Sequence, residues 1–157
     1  MNSTPEIRRL SEDADFRDAA SWMCNSDPWL RLGLDMDRCL RILKLDSREP
    51  WGLWQAGVLQ GFLLLCFEGP FVGYVHLLGV APQARGRGLG RQLLNHAERL
   101  VFARSHNVFI CVSSFNEGAR RFYAGQGYLE VGRLDNYLVA GHDEILLRKT
   151  RGPILGR

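Results

Sequence analysis

The hydrophobic period of the chain switches several times between that of a helix and that of a strand. Phe16, Ala19, Ala20 and Met23 recur three and four positions apart, the stripe of an amphipathic helix. Ser11 and the acidic residues after it supply a helix start, and Asp27-Pro28 supplies the stop. Met36, Cys39, Leu40 and Leu43 repeat that spacing in a shorter helix from Asp35 to Leu45, and Glu6 to Leu10 reads as a strand ahead of both helices. Gly52 to Gln55 and Gln60 to Phe67 are then extended, separated by Gly57 and Gly61, and read as a hairpin. Glu68-Gly69-Pro70 turns the chain into a third extended run, Phe71 to Val80, completing an antiparallel meander. After Pro82 the helical period returns in Leu89, Leu93, Leu94, Ala97, Leu100 and Val101. Val108 to Val112 is a buried strand, Asn116 to Ala124 a helix closed by Gly125 and Gly127, and Tyr128 to Tyr137 and Glu144 to Lys149 are the last two strands. The predicted order is strand, two helices, three strands, helix, strand, helix, two strands, an α/β (α+β) arrangement.

Composition narrows the picture. A chain of 157 residues is the length of one domain, with a core from about residue 6 to 150 and ragged ends at 1–5 and 151–157. Apolar residues at 46% and charged residues at 24% remove disordered and fibrous readings. A net charge of +3 permits an anionic ligand but is too small for a general polyanion-binding surface, so no nucleic-acid partner is expected. Cys24, Cys39, Cys66 and Cys111 are scattered and the histidines do not cluster, so neither a metal site nor a disulfide framework is expected. The longest apolar run, Phe62 to Phe67, is too short to span a bilayer, and the charged N-terminus is no signal peptide, so the expectation is a cytoplasmic protein without a membrane partner.

One segment carries chemistry. Arg85-Gly86-Arg87-Gly88-Leu89-Gly90-Arg91 lies between a strand and a helix. Alternate glycines let the backbone approach a ligand, and the free N–H groups of a helix start favour phosphate or pyrophosphate. Arg85, Arg87 and Arg91 add charge at the same place. The Walker loop is excluded because Arg91 and Gln92, not Lys and Ser/Thr, follow Gly90. The dinucleotide fingerprint is excluded by its spacing and by the meander that precedes the loop.

Gln83-x-x-Gly86-x-Gly88 after Leu78-Gly79-Val80 resembles the acetyl-coenzyme A signature of the GCN5-related N-acetyltransferase (GNAT) superfamily. A second block, from Asn116 and Ala119 through Phe122-Tyr123 to Gly127-Tyr128, is similar to that family's Asn-x-x-Ala-x-x-Phe-Tyr segment. The resemblance covers Ile7 to Lys149 and implies the family's mostly antiparallel sheet with splayed central strands. It implies that the pantetheine arm of acetyl-CoA lies against the backbone near Leu78 and Val80, and that the pyrophosphate rests on Arg85, Gly86, Arg87, Gly88, Leu89, Gly90 and Arg91. Asn116 then faces the pantetheine or serves as a plain helix cap.

The same resemblance gives Tyr123 the role of general acid beside the sulfur, and a phenol is protonated at neutral pH. It places the oxyanion donor at the N–H of Val80 or its neighbour. Candidates for the general base are His76, whose ordinary pKa suits proton uptake near neutrality, and Glu68. A water chain reaching Asp143 or Glu144 is a third route. Trp29 and Tyr74 are candidates for the acceptor pocket, with core packing as the competing role of the tryptophans. Arg120 and Arg121 are candidates for the coenzyme's 3′-phosphate, against a solvated helix face.

The expected function is acetyl transfer from acetyl-CoA to a primary amine of a small molecule or peptide, by direct attack in a ternary complex. Cys111 has no motif partner to support a covalent route. A non-catalytic acyl-CoA-binding module and an arginine-rich nucleic-acid patch are the competing classes. Homodimerisation is compatible with the fold, and no residue pattern specifies it.

Overall fold

The structure is a computed structural model, and it describes residues 3–156. Residues 1, 2 and 157, at the tips of the ends expected to be ragged, lie outside the described residues. The elements run β1 (Glu6–Arg9), α1 (Asp13–Cys24), α2 (Met36–Leu43), β2 (Glu49–Gln55), β3 (Val58–Cys66), β4 (Tyr74–Val80), a short 3-10 turn (Pro82–Ala84), α3 (Leu89–Phe102), β5 (Asn107–Ser113), α4 (Glu117–Gly125), β6 (Leu129–Val139) and β7 (His142–Thr150). This is the order predicted from the periodicity. The strands form one sheet in the order β1-β2-β3-β4-β5-β7-β6, and among the described residues β4–β5 is its only parallel pair.

Both faces of the sheet centre are covered, which is why β3 reads as a continuous apolar run. Leu63 and Leu65 join Leu93, Leu94, Ala97 and Val101 of α3 in one core cluster, while Phe62 joins Phe16, Ala20 and Met23 of α1 and Cys39 and Leu43 of α2 in another. The apolar stripes of the helices are thus the residues they bury. Asp35 caps α2 by accepting from Arg38 N at 2.8 Å, and Asn116 caps α4 by accepting from Ala119 N at 3.2 Å.

Several boundaries differ from the sequence expectation for local reasons. Gly61, expected to separate two strands, lies inside β3, where a Cβ would come within 2.9 Å of both Gly79 O and Leu93 Cδ1. The glycine lets β4 and α3 close on the strand. The third run begins at Tyr74 instead of Phe71, because Gly73 turns the backbone at φ +84°. The final hairpin is longer than expected, since Asn136 and Gly141 turn at positive φ and let the pairing run on to Val139 and His142. The C-terminal segment is tied to the sheet by Arg151 N donating to His106 O at 2.8 Å.

Gly73 fixes where β4 meets β5. Its carbonyl accepts from Phe109 N at 3.0 Å, and a Cβ would strike Val101 Cγ1 at 2.3 Å and Asn107 O at 2.7 Å. Gly73→Ala combines left-handed strain with overpacking, so it lowers stability by at least about 2 kcal/mol in denaturant unfolding. A change within a few tenths of a kcal/mol would show that the junction yields freely.

Candidate active site

The site begins with a fault in the sheet. Leu64 pairs with Leu77 and Leu65 with Val75, so His76 is an extra residue bulged out of β4. A bulge bends its strand and sharpens the local twist. β4 pairs with β5 only at Tyr74–Phe109 and Val75–Ile110, and beyond that point the strands separate. Ala81 N donates to Gln60 O at 2.8 Å, so by strand alternation the amide groups of Leu78 and Val80 point away from β3, into the gap. The Val80 carbonyl receives Arg85 Nε at 3.3 Å. An amide-bearing ligand laid along β4 would find the remaining unpaired groups.

At the far end of β4 the glycine–arginine loop turns into α3. Gly86 and Gly88 have φ of +74° and +79°, and neither has an atom within 4 Å of where a Cβ would stand. The first backbone bond of α3 runs from Gln92 N to Gly88 O at 3.2 Å, so the N–H groups of Leu89, Gly90 and Arg91 have no helical acceptor. Arg87 reaches Gln55 Oε1 at 2.6 Å and Arg85 reaches Ser26 Oγ at 3.3 Å, both neutral acceptors. Among the described residues none of Arg85, Arg87 and Arg91 forms an ion pair, whereas Arg120 faces Glu130 and Arg121 faces Glu117, each at 3.8 Å. The uncompensated positive charge therefore gathers at the start of α3, where the helix dipole adds to it. Room, charge and free N–H groups all suit a pyrophosphate.

The gap opens into a cavity of about 590 Å³. Trp29, Tyr74, His76, Leu78, Asn116 and Tyr123 all line it. Val80 and the loop from Arg85 to Arg91 lie beyond its wall, and Glu68 is exposed past the end of β3, away from it. Trp29 packs on Phe62 with ring centroids 5.9 Å apart, combining the core and pocket roles. Tyr123 comes from α4 and is only 5% exposed; its hydroxyl has no protein partner among the described residues, and burial pushes its pKa up. The phenol stays protonated throughout the physiological range.

Glu144 is the buried carboxylate of this cavity, 4% exposed. It accepts from Ser113 Oγ at 2.6 Å, and desolvation raises its pKa above the ordinary 4.5 despite that bond. Asp143 next to it is spent in the hairpin, accepting from Arg133 and from Asn136 N, and its pKa is lowered. His76 receives Arg48 Nε on Nδ1 at 3.2 Å, and burial with the Arg48 charge pushes it down to about 4. A guanidinium only donates, so the neutral ring carries its proton on Nε2. Arg38 and Arg48 line the same cavity and belong to no sequence motif; the α2–β2 connection brings Arg48 to β4.

The profile described as the Acetyltransferase (GNAT) family matches residues 14–128. The chain belongs to the GNAT acetyltransferase family. It is 37% identical over 137 residues to the N-alpha-acetyltransferase RimI of Mycobacterium tuberculosis, covering 85% of this chain and 82% of that protein. Mycothiol acetyltransferases of Mycobacterium species match at 38% over 90 residues, 30% of their own length. The fold superposes on the ribosomal-protein-S18-alanine N-acetyltransferase of Escherichia coli with a TM-score of 0.74 at 19% identity, over 98% of this chain and 100% of that one. It also superposes on an aminoglycoside 6'-N-acetyltransferase complexed with coenzyme A, with a TM-score of 0.77 at 18% identity, over 94% and 98% of the chains.

As a GNAT enzyme the protein is an acetyl-CoA-dependent N-acetyltransferase with an amine acceptor. The open space, unpaired amides and uncompensated arginines described above fit that co-substrate. Gly88→Val places a side chain in the cradle and strains one residue, at a cost of about 1–2 kcal/mol. The expected result is a coenzyme A affinity lowered at least about tenfold in calorimetric titration, with the fold retained. Unchanged affinity would remove the loop from the binding site.

Proposed function

We propose that the enzyme acetylates the free α-amine of a protein N-terminus, by direct attack in a ternary complex, with Glu144 as the base and Tyr123 as the acid. One observation carries the choice of acceptor: Glu144 is the only carboxylate among the cavity-lining residues, and it is set against Arg38 and Arg48. A polycationic acceptor needs several acids, whereas a peptide brings one amine followed by neutral backbone amides. The 37% identity to an N-alpha-acetyltransferase supports the same reading.

Acetyl-CoA supplies the acetyl group as an activated thioester. The chain's own residues do the rest. The gap beside Leu78 and Val80 aligns the coenzyme arm, and the N–H of Leu78, which lines the cavity with Glu144 and Tyr123, donates to the carbonyl oxygen as it gains charge. Glu144, ionised above its raised pKa, takes a proton from the amine directly or through a water. Tyr123 donates its phenol proton to the departing sulfur. His76, with Nδ1 engaged by Arg48, has only an N–H left to offer and orients groups instead of accepting a proton. Glu68 stays outside the reaction, and Cys111 forms no covalent intermediate. The cytoplasmic setting expected from composition belongs to this proposal.

The sign of the pH dependence follows from Glu144. Its raised pKa means that its charged form is disfavoured by the fold, so it costs stability as pH rises through the shifted value. Glu144→Gln therefore unfolds at the same temperature or higher at neutral pH, while kcat falls about 10²-fold or more. The acidic limb of the wild-type kcat profile lies above pH 4.5, the ordinary value, and disappears in Glu144→Gln but persists in His76→Gln. Loss of the limb in His76→Gln instead would transfer the role of base. Tyr123→Phe lowers kcat with little effect on KM for the coenzyme. Mass spectrometry of a peptide with a free N-terminus and an internal lysine tests the acceptor. Acetylation of the α-amine is expected, and modification of the lysine alone would overturn the reading.

A further inference from the structure

Arg48 is half-buried at the cavity wall, and among the described residues no acid pairs with it. Its Nε is spent on His76 Nδ1 at 3.2 Å and its Nη1 on Ser47 Oγ at 2.9 Å and Ser47 O at 3.3 Å, all uncharged acceptors. Among the described residues Nη2 has no protein partner. Arg38 projects from α2 one turn before Ile42 and lines the same cavity; Asp35 accepts from its backbone N–H, but among the described residues its guanidinium forms no ion pair. A half-buried guanidinium in a concave site is costly unless an anion completes it. Arg104 and Arg9 share Glu49, while other arginines without an acid, such as Arg41 and Arg148, are exposed to water; Arg48 differs in being half-buried at the cavity wall, and Arg38 lines the same cavity from an exposed position. Arg48 is left for something that enters, with Arg38 beside the same space.

The coenzyme is a poor candidate for that anion. Its phosphates suit the loop after the C-terminal end of β4, whereas Arg48 touches His76, near the opposite end of that strand. We infer that Arg48 and Arg38 form a carboxylate subsite on the acceptor side, so that the preferred acceptor is a peptide with Asp or Glu close behind its N-terminal residue. The inference rests on the peptide reading above. The spacing suits it. The His76 and Tyr74 rings, 5.9 Å apart, stand between Arg48 and the end of the cavity where Tyr74 faces Cys111 and Glu144. An extended peptide advances roughly 3.3–3.6 Å per residue. With its amine at Glu144, it presents the side chain of its second or third residue to the arginines. The free Nη2 of Arg48 can donate one charge-assisted bond to a carboxylate, and the guanidinium of Arg38 can supply a second.

The test compares kcat/KM for heptapeptides with N-terminal Ala followed by two Glu, two Gln or two Arg residues, with the amines of free glutamate and cadaverine alongside. The acidic peptide is expected to exceed the Gln peptide by roughly tenfold, the worth of a charge-assisted hydrogen bond. In Arg48→Gln that ratio falls toward one, and in Arg38→Glu, an exposed position, the preference shifts toward the Arg peptide. Equal rates for all three peptides, or a wild-type preference for the Arg peptide, overturn the subsite and leave the N-terminal reading standing. Inert peptides with glutamate acetylated in preference to cadaverine overturn the N-terminal reading and keep the subsite. Cadaverine as the preferred substrate overturns both.

Discussion

The residue on which the site depends is the one that does not fit its sheet. A strand pair with perfect register between β3 and β4 would let β4 run beside β5 for its whole length and close the sheet. The extra residue at His76 forbids this, because a two-against-one bulge rotates and bends the strand that carries it. Pairing with β5 ends at Val75, one residue earlier. Both faces of the sheet are packed, so the fault cannot relax by sliding; Phe62 and Leu63 on β3 are locked into opposite cores. The gap is therefore a permanent feature, and the unpaired amides along it are donors and acceptors held in place before any ligand arrives.

The electrostatics of the cavity are unbalanced in a consistent way. The loop end keeps arginines without acids, the acceptor side keeps Arg48 and Arg38 without acids, and between them one carboxylate is held where water cannot fully solvate it. The half-buried Arg48 and the buried Glu144 are each a small cost to the folded state, while Arg38 and the loop arginines stay exposed. Tyr128, Lys149 and Glu98 show the alternative, where the fold completes its own network at 2.9 to 3.1 Å. The contrast is between a charge network the fold completes itself and charges at the gap that it leaves open.

The element order and the coenzyme loop were legible because each rests on short-range pattern: period 3.6 in Leu89 to Val101, and glycines alternating with arginines at a strand–helix junction. Tyr123 and Asn116 were legible through a local block in the same way. Glu144, Arg48 and Arg38 were harder to assign for the opposite reason. Glu144 is buried only where β7 pairs with β5 and Ser113 donates to it, and the meeting of Arg48 with His76 joins residues 28 apart in the chain. The bulge was invisible too, since a run such as Tyr74-Val-His-Leu-Leu carries no mark of an extra residue. Glu68 illustrates the limit: it has the right chemistry and a nearby strand, and its side chain ends outside the cavity.

The bulge also explains why Glu144 and Tyr123, the proposed base and acid, come from different parts of the chain. Once β4 bends away, no side chain on it can approach the mouth of the gap from the β5 side. That wall must be built by β5, by α4 with Tyr123, and by β7, which alone pairs with β5 up to Ser113. Glu144 on β7 and Tyr123 on α4 thus line one opening from the same side of the fault, while the bulged His76 and Arg48 line it from the other. In the proposed reaction, catalysis and acceptor recognition fall on opposite banks of the gap that this geometry opens.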